Sequence, residues 1–224
     1  MPTQALPQAG RLLFHGDSIT AAGRQPGQDD VLGRGYVRLI ADALRTTHPD
    51  LRIANRAVSG FRVRDLRAHW ADDVLAQAPD VLSVMVGVND TWRRYDSGDP
   101  TSVADYARDY RHLLETASEA GARLVLIEPF LVPAGDAQWT WREDLDGRIH
   151  AVRRLAEEYD ALLLAADGLL NQAARTAGGA AKVASDGVHP EPYGHAVLAG
   201  AWLDLVSPDA HDPSAAGGLR AAGR

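Results

Sequence analysis

Residues 12–20 read LLFHGDSIT, an apolar run that ends in a Gly-Asp-Ser turn. Short apolar runs recur along the chain, at 12–14, 51–54, 81–86, 124–127 and 161–164. Several are continuously apolar, which is typical of strands buried on both faces of a parallel sheet. The pattern therefore predicts five parallel strands, and the first of them delivers Ser18 to its carboxyl end.

Segments with helical periodicity separate the apolar runs. They cover 36–44, 63–75, 103–114 and 145–159, and a last helix is predicted from about 193 to 206. Strands that alternate with helices specify a parallel sheet between helical layers, so the predicted fold class is α/β, a three-layer α/β/α sandwich. One domain is expected over 1–206, and the Pro-, Gly- and Ala-rich segment 207–224 is expected to be a flexible tail.

The composition excludes several classes of function. The 224 residues include 23 Lys and Arg against 30 Asp and Glu, a net charge of −7 with no basic patch, so nucleic acid is not expected as a partner. The absence of cysteine rules out a disulfide framework, a thiolate zinc site and a Cys nucleophile. The histidines show no metal-ligand spacing, so we expect no metal and no cofactor.

The chain also carries no recognisable membrane or export signal. Its start, MPTQALPQAG, lacks the basic residues and apolar core of a signal peptide, and no apolar run approaches the length of a membrane span. A cytoplasmic protein without a membrane partner is therefore expected.

Ser18 is the first candidate for chemistry. In open parallel sheets ligands bind beyond the carboxyl ends of the strands, and Ser18 in GDSIT follows the first strand directly. Its hydroxyl is a candidate nucleophile, although Ser and Asp after a strand also form ordinary turns and helix caps. The G-x-S-x-G turn of lipases is not matched, because Thr20 replaces the last glycine.

Asp186 and His189 are candidates for the partners of such a nucleophile. They lie three residues apart in DGVHP, so one turn would bring the carboxylate against the imidazole and select one ring tautomer. The alternative is a loop with a solvated aspartate and a His-Pro helix start.

Gly60 and Asn89 follow two further predicted strands and are candidate hydrogen-bond donors. Gly60 offers a backbone amide and Asn89 a side-chain amide, whereas a turn with positive φ and an Asx-turn or helix cap are the alternatives. The five residues together indicate a catalytic site more strongly than any one of them does. All lie at predicted carboxyl ends of strands, and they comprise a nucleophile, a base with its carboxylate and two donors.

These blocks, taken in order, resemble the SGNH (GDSL) hydrolases. The blocks are Gly16-Asp17-Ser18, Gly60, Gly87-Val88-Asn89-Asp90 and Asp186-Gly187-Val188-His189, within a match over about 12–206. The resemblance implies a flavodoxin-like strand order 2-1-3-4-5, with Ser18 as nucleophile, His189 as base and Asp186 as its orienting carboxylate. It also implies an oxyanion hole formed by the amides of Ser18 and Gly60 and the side chain of Asn89.

Within that family, GRGYVRLIADAL, NRAVSGFRVRDLRAHWADDV and GVNDTWRRYD resemble the cytoplasmic acetylxylan esterases. This resemblance implies hydrolysis of acetyl esters of xylo-oligosaccharides through an acyl-enzyme, and a homo-oligomer. Lysophospholipases, thioesterases and arylesterases carry similar blocks, so these activities remain alternatives. A non-catalytic carbohydrate- or protein-binding module is the alternative from another class.

The remaining candidates are substrate contacts. Trp92, Tyr95, Trp139 and Trp141 are predicted in loops beyond strand ends, where they could stack on sugar rings or instead pack against the protein or another subunit. Asp17 is also a candidate contact, although we favour a role in capping backbone amides.

Overall fold

Five parallel strands form the centre of the molecule. A computed structural model of the chain describes residues 6–25, 27 and 31–207. The strands are β1 (Ala9–Gly16), β2 (Asp50–Asn55), β3 (Val81–Met85), β4 (Arg123–Ile127) and β5 (Leu162–Leu164). Their order is β2-β1-β3-β4-β5 and every neighbouring pair is parallel. The predicted strand order and α/β class are confirmed.

Helices connect the strands and begin near the carboxyl end of the sheet. They are α1 (Ser18–Ala21), α2 (Tyr36–Leu44), α3 (Val63–Asp73), α4 (Val88–Asp96), α5 (Val103–Glu119), α6 (Asp136–Trp139), α7 (Arg142–Glu158), α8 (Ala166–Ala177) and α9 (Pro192–Val206). Short 3₁₀ turns lie at Leu75–Gln77 and Ala180–Lys182.

Two apolar cores lie on opposite faces of the sheet. In β1, the side chains of Leu12 and Phe14 join the core under α2, α8 and α9, whereas Leu13 joins the core under α3, α5 and α7. This alternation follows from the two-residue period of a strand, and the continuous apolar runs arise because both faces are covered. The three-layer sandwich is thereby established.

Helix α4 corrects the predicted positions of Trp92 and Tyr95. Both were expected in a loop, but they lie on this helix, which begins directly after β3. The helix escaped prediction because its buried residues are mostly polar, so no apolar stripe marks it. They are Val88, Asn89, Asp90 and Thr91.

The predicted loop at 129–141 contains a helical turn. Trp139 ends α6 and Trp141 is the capping residue of α7, so neither belongs to an extended loop. Helix α8 was also not predicted, because its four buried positions hold two alanines, an aspartate and a single leucine and give weak hydrophobic contrast.

The predicted tail 207–224 lies outside the described residues except for Ser207. Among the helices of the described part, none is both long and apolar enough to cross a bilayer.

Candidate functional site

Ser18 lies where β1, an inner strand of the sheet, ends and α1 begins. The Asp17 carboxylate caps this short helix, because its Oδ1 accepts a hydrogen bond from the Ile19 amide at 3.0 Å. Ser18 is the first residue of the helix, and the amide at that position has no acceptor within the helix. The turn therefore presents both a hydroxyl and an available amide at the carboxyl edge of the sheet.

The structure brings Ser18, His189 and Asp186 into one hydrogen-bonded chain. Ser18 Oγ lies 2.9 Å from His189 Nε2, and His189 Nδ1 lies 2.6 Å from Asp186 Oδ2. An ionised carboxylate can only accept hydrogen bonds, so Nδ1 carries the ring proton and Nε2 is left to accept the serine hydroxyl. This is the arrangement that activates a serine hydroxyl in hydrolases.

The Asp186 carboxylate is held by the turn that it begins. Its Oδ1 accepts hydrogen bonds from the amides of Val188 at 2.9 Å and His189 at 2.7 Å. Burial raises the pKa of this carboxyl, but the hydrogen bonds from the His189 ring and the two amides outweigh burial, and the net effect lowers the pKa below its ordinary value. Asp186 is therefore charged at neutral pH and stabilises a protonated His189 ring.

Gln138 positions this turn, and the sequence analysis did not identify Gln138 as a functional residue. Its Nε2 donates to the carbonyl oxygen of Asp186 at 2.7 Å, and its Oε1 accepts from the Ala134 amide at 2.8 Å. Gly187 adopts a φ of +87°, and a Cβ there would overlap the Gln138 amide, so only glycine leaves room for this contact. No motif marks Gln138, because its partner is a backbone atom 48 residues away.

Gly60 and Asn89 are brought together by contacts between α4 and the segment after β2. Asn89 Nδ2 donates to the Phe61 carbonyl oxygen at 3.1 Å, and Oδ2 of the next residue, Asp90, accepts from the Val63 amide at 3.1 Å. Gly60 is exposed, with a φ of +85°, and its amide has no acceptor among the described residues. One hydrogen of the Asn89 amide and the Gly60 amide therefore have no acceptor among the described residues. Asn89 is only 3% exposed, and neither residue lines the pocket beside Ser18.

A pocket of about 740 Å³ opens beside Ser18 and His189. Its wall is largely apolar, with Ile19, Ala22, Leu39 and two prolines, and its other polar residues are Arg34, Ser59 and His195. A cavity of this size accommodates a small ligand rather than a macromolecular surface.

None of the four aromatic candidates lines this pocket, and three of them pack together next to His189. The Trp92 ring centroid lies 5.9 Å from that of His189 and 5.6 Å from that of Trp141, which in turn stacks on Tyr95 at 5.4 Å. Trp139 stands apart, with 61% of its surface exposed. Three of the four therefore form a packed wall behind the histidine, and Trp139 is left with a free face.

Asp17 is a buried residue that caps α1. It is only 1% exposed and does not line the pocket, so its observed contact is the cap on α1. Burial raises the pKa of Asp17 to about 7, with the hydrogen bond from Ile19 and the proximity of His189 opposing that effect. Contact between Asp17 and a substrate stays a prediction, and the contact that the structure shows is the cap that the sequence favoured.

No group of three or more His, Asp or Glu side chains within 6–25, 27 and 31–207 is arranged to hold a metal ion.

The chain is similar to characterised hydrolases over most of its length. Residues 14–197 match the GDSL-like Lipase/Acylhydrolase family. An acetylxylan esterase of Geobacillus stearothermophilus is 36% identical over 203 residues, which cover 86% of this chain and 92% of that protein. The fold and these matches define an ester hydrolase of the α/β class. The chain belongs to the GDSL-like lipase/acylhydrolase family, as the SGNH resemblance predicted.

Solved structures agree with this assignment. A variant of the same Geobacillus esterase superposes with a TM-score of 0.82 at 34% identity, covering 89% of this chain and 97% of that one. A GDSL-like protein from Parabacteroides merdae gives a TM-score of 0.85 at 32% identity, covering 92% of this chain and 99% of that one. Other structures of the Geobacillus esterase are of catalytic mutants in which an aspartate, a serine or a histidine is replaced by alanine.

Proposed function

We propose that this chain is a serine esterase that removes acetyl groups from xylo-oligosaccharides, with Ser18 as nucleophile, His189 as base and Asp186 as the carboxylate that orients the base. The observation that carries the proposal is the continuous hydrogen-bonded chain from Ser18 Oγ to Asp186 at the mouth of a ligand-sized pocket. The acetylxylan esterase relative supports the substrate class.

In the first half of the reaction, Ser18 Oγ attacks the carbonyl carbon of the ester while its proton passes to His189 Nε2. The tetrahedral intermediate then collapses, and the bond between the carbonyl carbon and the sugar oxygen breaks. His189 returns its proton to that oxygen, and the sugar leaves with a free hydroxyl. Asp186 stabilises the charged ring between these two transfers.

In the second half, water attacks the acetyl group on Ser18 and gives a proton to His189. The bond from the acetyl carbon to Ser18 Oγ breaks, His189 passes its proton to that oxygen, and acetic acid departs and ionises to acetate in solution. Each cycle consumes one water and one ester and requires neither a metal nor an organic cofactor.

The oxyanion of both intermediates would be bound by the amides of Ser18 and Gly60 and the free hydrogen of the Asn89 side chain. The Ser18 amide lies at the start of a helix, where the helix dipole also favours negative charge. In comparable hydrolases one such donor contributes about 3 to 4 kcal/mol to the transition state.

The pocket also favours a second candidate. Because Ile19, Ala22 and Leu39 give it an apolar wall, a longer acyl chain could occupy it, as in a lysophospholipase or thioesterase. Activity on p-nitrophenyl acetate, butyrate and octanoate separates the two. Each methylene that an apolar pocket accepts typically gains about 1 kcal/mol, so rising kcat/KM supports the second candidate and falling kcat/KM supports the acetyl esterase.

The direct test is acetate release from acetylated xylo-oligosaccharides by the natural protein and by Ser18→Ala. We expect release by the first only, with unchanged thermal unfolding of the variant, because the hydroxyl contributes little to packing. Ser59→Ala, which removes a hydroxyl from the same pocket, is the matched control and should retain activity. Activity of Ser18→Ala above one-tenth of the natural level would refute the assignment.

Three further statements belong to the proposal. We propose one catalytic domain over 1–206, residence in the cytoplasm, and a homo-oligomer. Limited proteolysis, cell fractionation and light scattering on the purified protein test them separately. The same proposal excludes nucleic acid and membrane as partners, and binding to DNA or to vesicles would contradict it.

A further inference from the structure

His195 lies in the same pocket as the proposed catalytic residues, and the hydrolytic mechanism does not use it. It lies near the start of α9, six residues after His189, and its ring lines the pocket together with Ser18 and His189. A histidine at the wall of a substrate pocket is either a part of the scaffold or a hydrogen-bonding group for the ligand. The contacts of the two ring nitrogens of His195 distinguish these roles.

One ring nitrogen of His195, Nδ1, forms a hydrogen bond within the protein. The backbone amide of Tyr36, the first residue of α2, donates to His195 Nδ1 at 3.2 Å. Since Nδ1 accepts this hydrogen bond, the ring is neutral and its hydrogen is on Nε2. The ring also stacks on the Tyr36 ring, with centroids 6.4 Å apart and planes 20° apart, so its orientation is fixed.

The charge state of the ring is stable under ordinary conditions. Burial lowers the pKa of His195 to about 4, the nearby His189 adds to this effect, and Glu191 opposes it. At neutral pH the ring therefore presents an uncharged N–H group.

The second ring nitrogen is available to a ligand. His195 Nε2 has no hydrogen-bond partner among residues 6–25, 27 and 31–207, and it is not sealed from solvent in the interior. Arg34 and Ser59, the other polar residues of the wall outside the catalytic set, are exposed, and no described residue fixes their side chains by such contacts. The Nε2–H group is thus a preoriented donor in a mostly apolar wall, a combination that typically sets specificity.

We propose that His195 Nε2–H donates a hydrogen bond to a hydroxyl of the sugar that carries the acetyl group, and so selects esters of polyols over esters of simple alcohols. This inference rests on the proposed acetyl esterase function. The discrimination arises because an alcohol without a hydroxyl leaves a desolvated donor unpaired, which costs transition-state binding.

Two substitutions test the roles of the two ring nitrogens of His195 separately. In His195→Asn the side-chain oxygen can take the place of Nδ1 and accept from the Tyr36 amide, but nothing replaces the Nε2 donor. In His195→Gln the amide nitrogen can reach the place of Nε2, but the acceptor for Tyr36 is lost. The pair therefore tests ligand binding and helix capping independently.

The experiment compares kcat/KM for two monoacetates of six-membered rings, 2-O-acetyl methyl β-xyloside and cyclohexyl acetate. We expect the natural protein to prefer the xyloside. His195→Asn should reduce that preference about tenfold, the value of one hydrogen bond, while cyclohexyl acetate turnover and thermal unfolding change little. His195→Gln should lower the unfolding temperature and keep more of the preference.

Parallel loss of activity on both esters in His195→Asn, or an unchanged preference, overturns the inference and leaves the esterase assignment intact. If the natural protein hydrolyses p-nitrophenyl acetate but neither the xyloside nor acetylated xylo-oligosaccharides, the proposed substrate class and this inference fail together.

Discussion

Asn89 Nδ2 donates a hydrogen bond to the carbonyl oxygen of Phe61 at 3.1 Å, which ties the start of α4 to the residue that follows Gly60. The contact uses one of the two hydrogens of the carboxamide and fixes the plane of the group, so the direction of the second hydrogen is set before substrate binds. Preorganised donors of this kind stabilise developing charge without reorganisation.

Asn89→Ala is expected to lower kcat by roughly 10²–10³ with little change in KM, because the amide binds the carbonyl oxygen mainly once charge has developed. Steady-state kinetics on p-nitrophenyl acetate measure both constants. Asn171→Ala, which removes a carboxamide from α8 outside the pocket, controls for loss of an amide. A change confined to KM would make Asn89 a ground-state binding residue.

Asp186→Asn is expected to reduce kcat on the order of 10⁴ while KM changes little, as found when the corresponding aspartate of serine proteases is replaced. The Asn amide can donate to His189 Nδ1, which moves the ring hydrogen to Nε2 and prevents that atom from accepting the Ser18 proton. Asp136→Asn, an exposed aspartate on α6, is the control and should leave kcat unchanged. A loss below tenfold would show that the carboxylate does not select the tautomer.

Gln138→Ala is expected to lower kcat about tenfold, because the loss of its hydrogen bond to Asp186 frees the turn that orients His189. The effect should fall on kcat rather than on KM, since Gln138 does not line the pocket. Gln172→Ala, an exposed glutamine on α8, serves as the control. Equal losses in the two variants would exclude a positioning role.

Asp17→Asn is expected to make the protein more stable at neutral pH but not at pH 4. Burial raises the pKa of Asp17 to about 7, so the folded state binds this proton more tightly than the unfolded chain does. The stability that protonated Asp17 contributes is complete below about pH 4 and is lost as pH rises to about 7. Asparagine keeps an acceptor for the Ile19 amide and carries no titrating group.

Denaturant unfolding at pH 4 and pH 7.5 measures the free energy of unfolding of the natural protein and of Asp17→Asn. Other titrating groups contribute equally to both proteins, so their effects cancel in the difference. The gain at pH 7.5 should reach at most about 4 kcal/mol, the equivalent of a pKa difference of about three. Asp17→Ala, which also loses the cap, should be destabilised at pH 4 by about 1 kcal/mol. A difference that does not vary with pH would contradict the titration of Asp17 in this range.

The outline of the fold could be read from hydrophobic periodicity. The runs at 12–14 and 124–127 each contain residues of both cores, which is why they are continuously apolar. Helices α4 and α8 were both missed because their buried faces are not strongly apolar. Helix α4 buries mostly polar residues, and helix α8 buries two alanines and a single leucine. Periodicity detects an element only where burial and apolar character coincide.

The order of chemical groups along the chain identified the family and the residues proposed for catalysis. Each of these residues follows or flanks a local sequence signal; they are Ser18, Gly60, Asn89, Asp186 and His189. Local sequence also determined the Asp17 cap, whose hydrogen bond spans only two residues. The contacts of Gln138 with Asp186 and of His195 with Tyr36 were decided by tertiary structure alone. Each joins a side chain to a backbone atom 48 or 159 residues away, and a backbone atom is the same in every residue type, so it leaves no mark in the sequence.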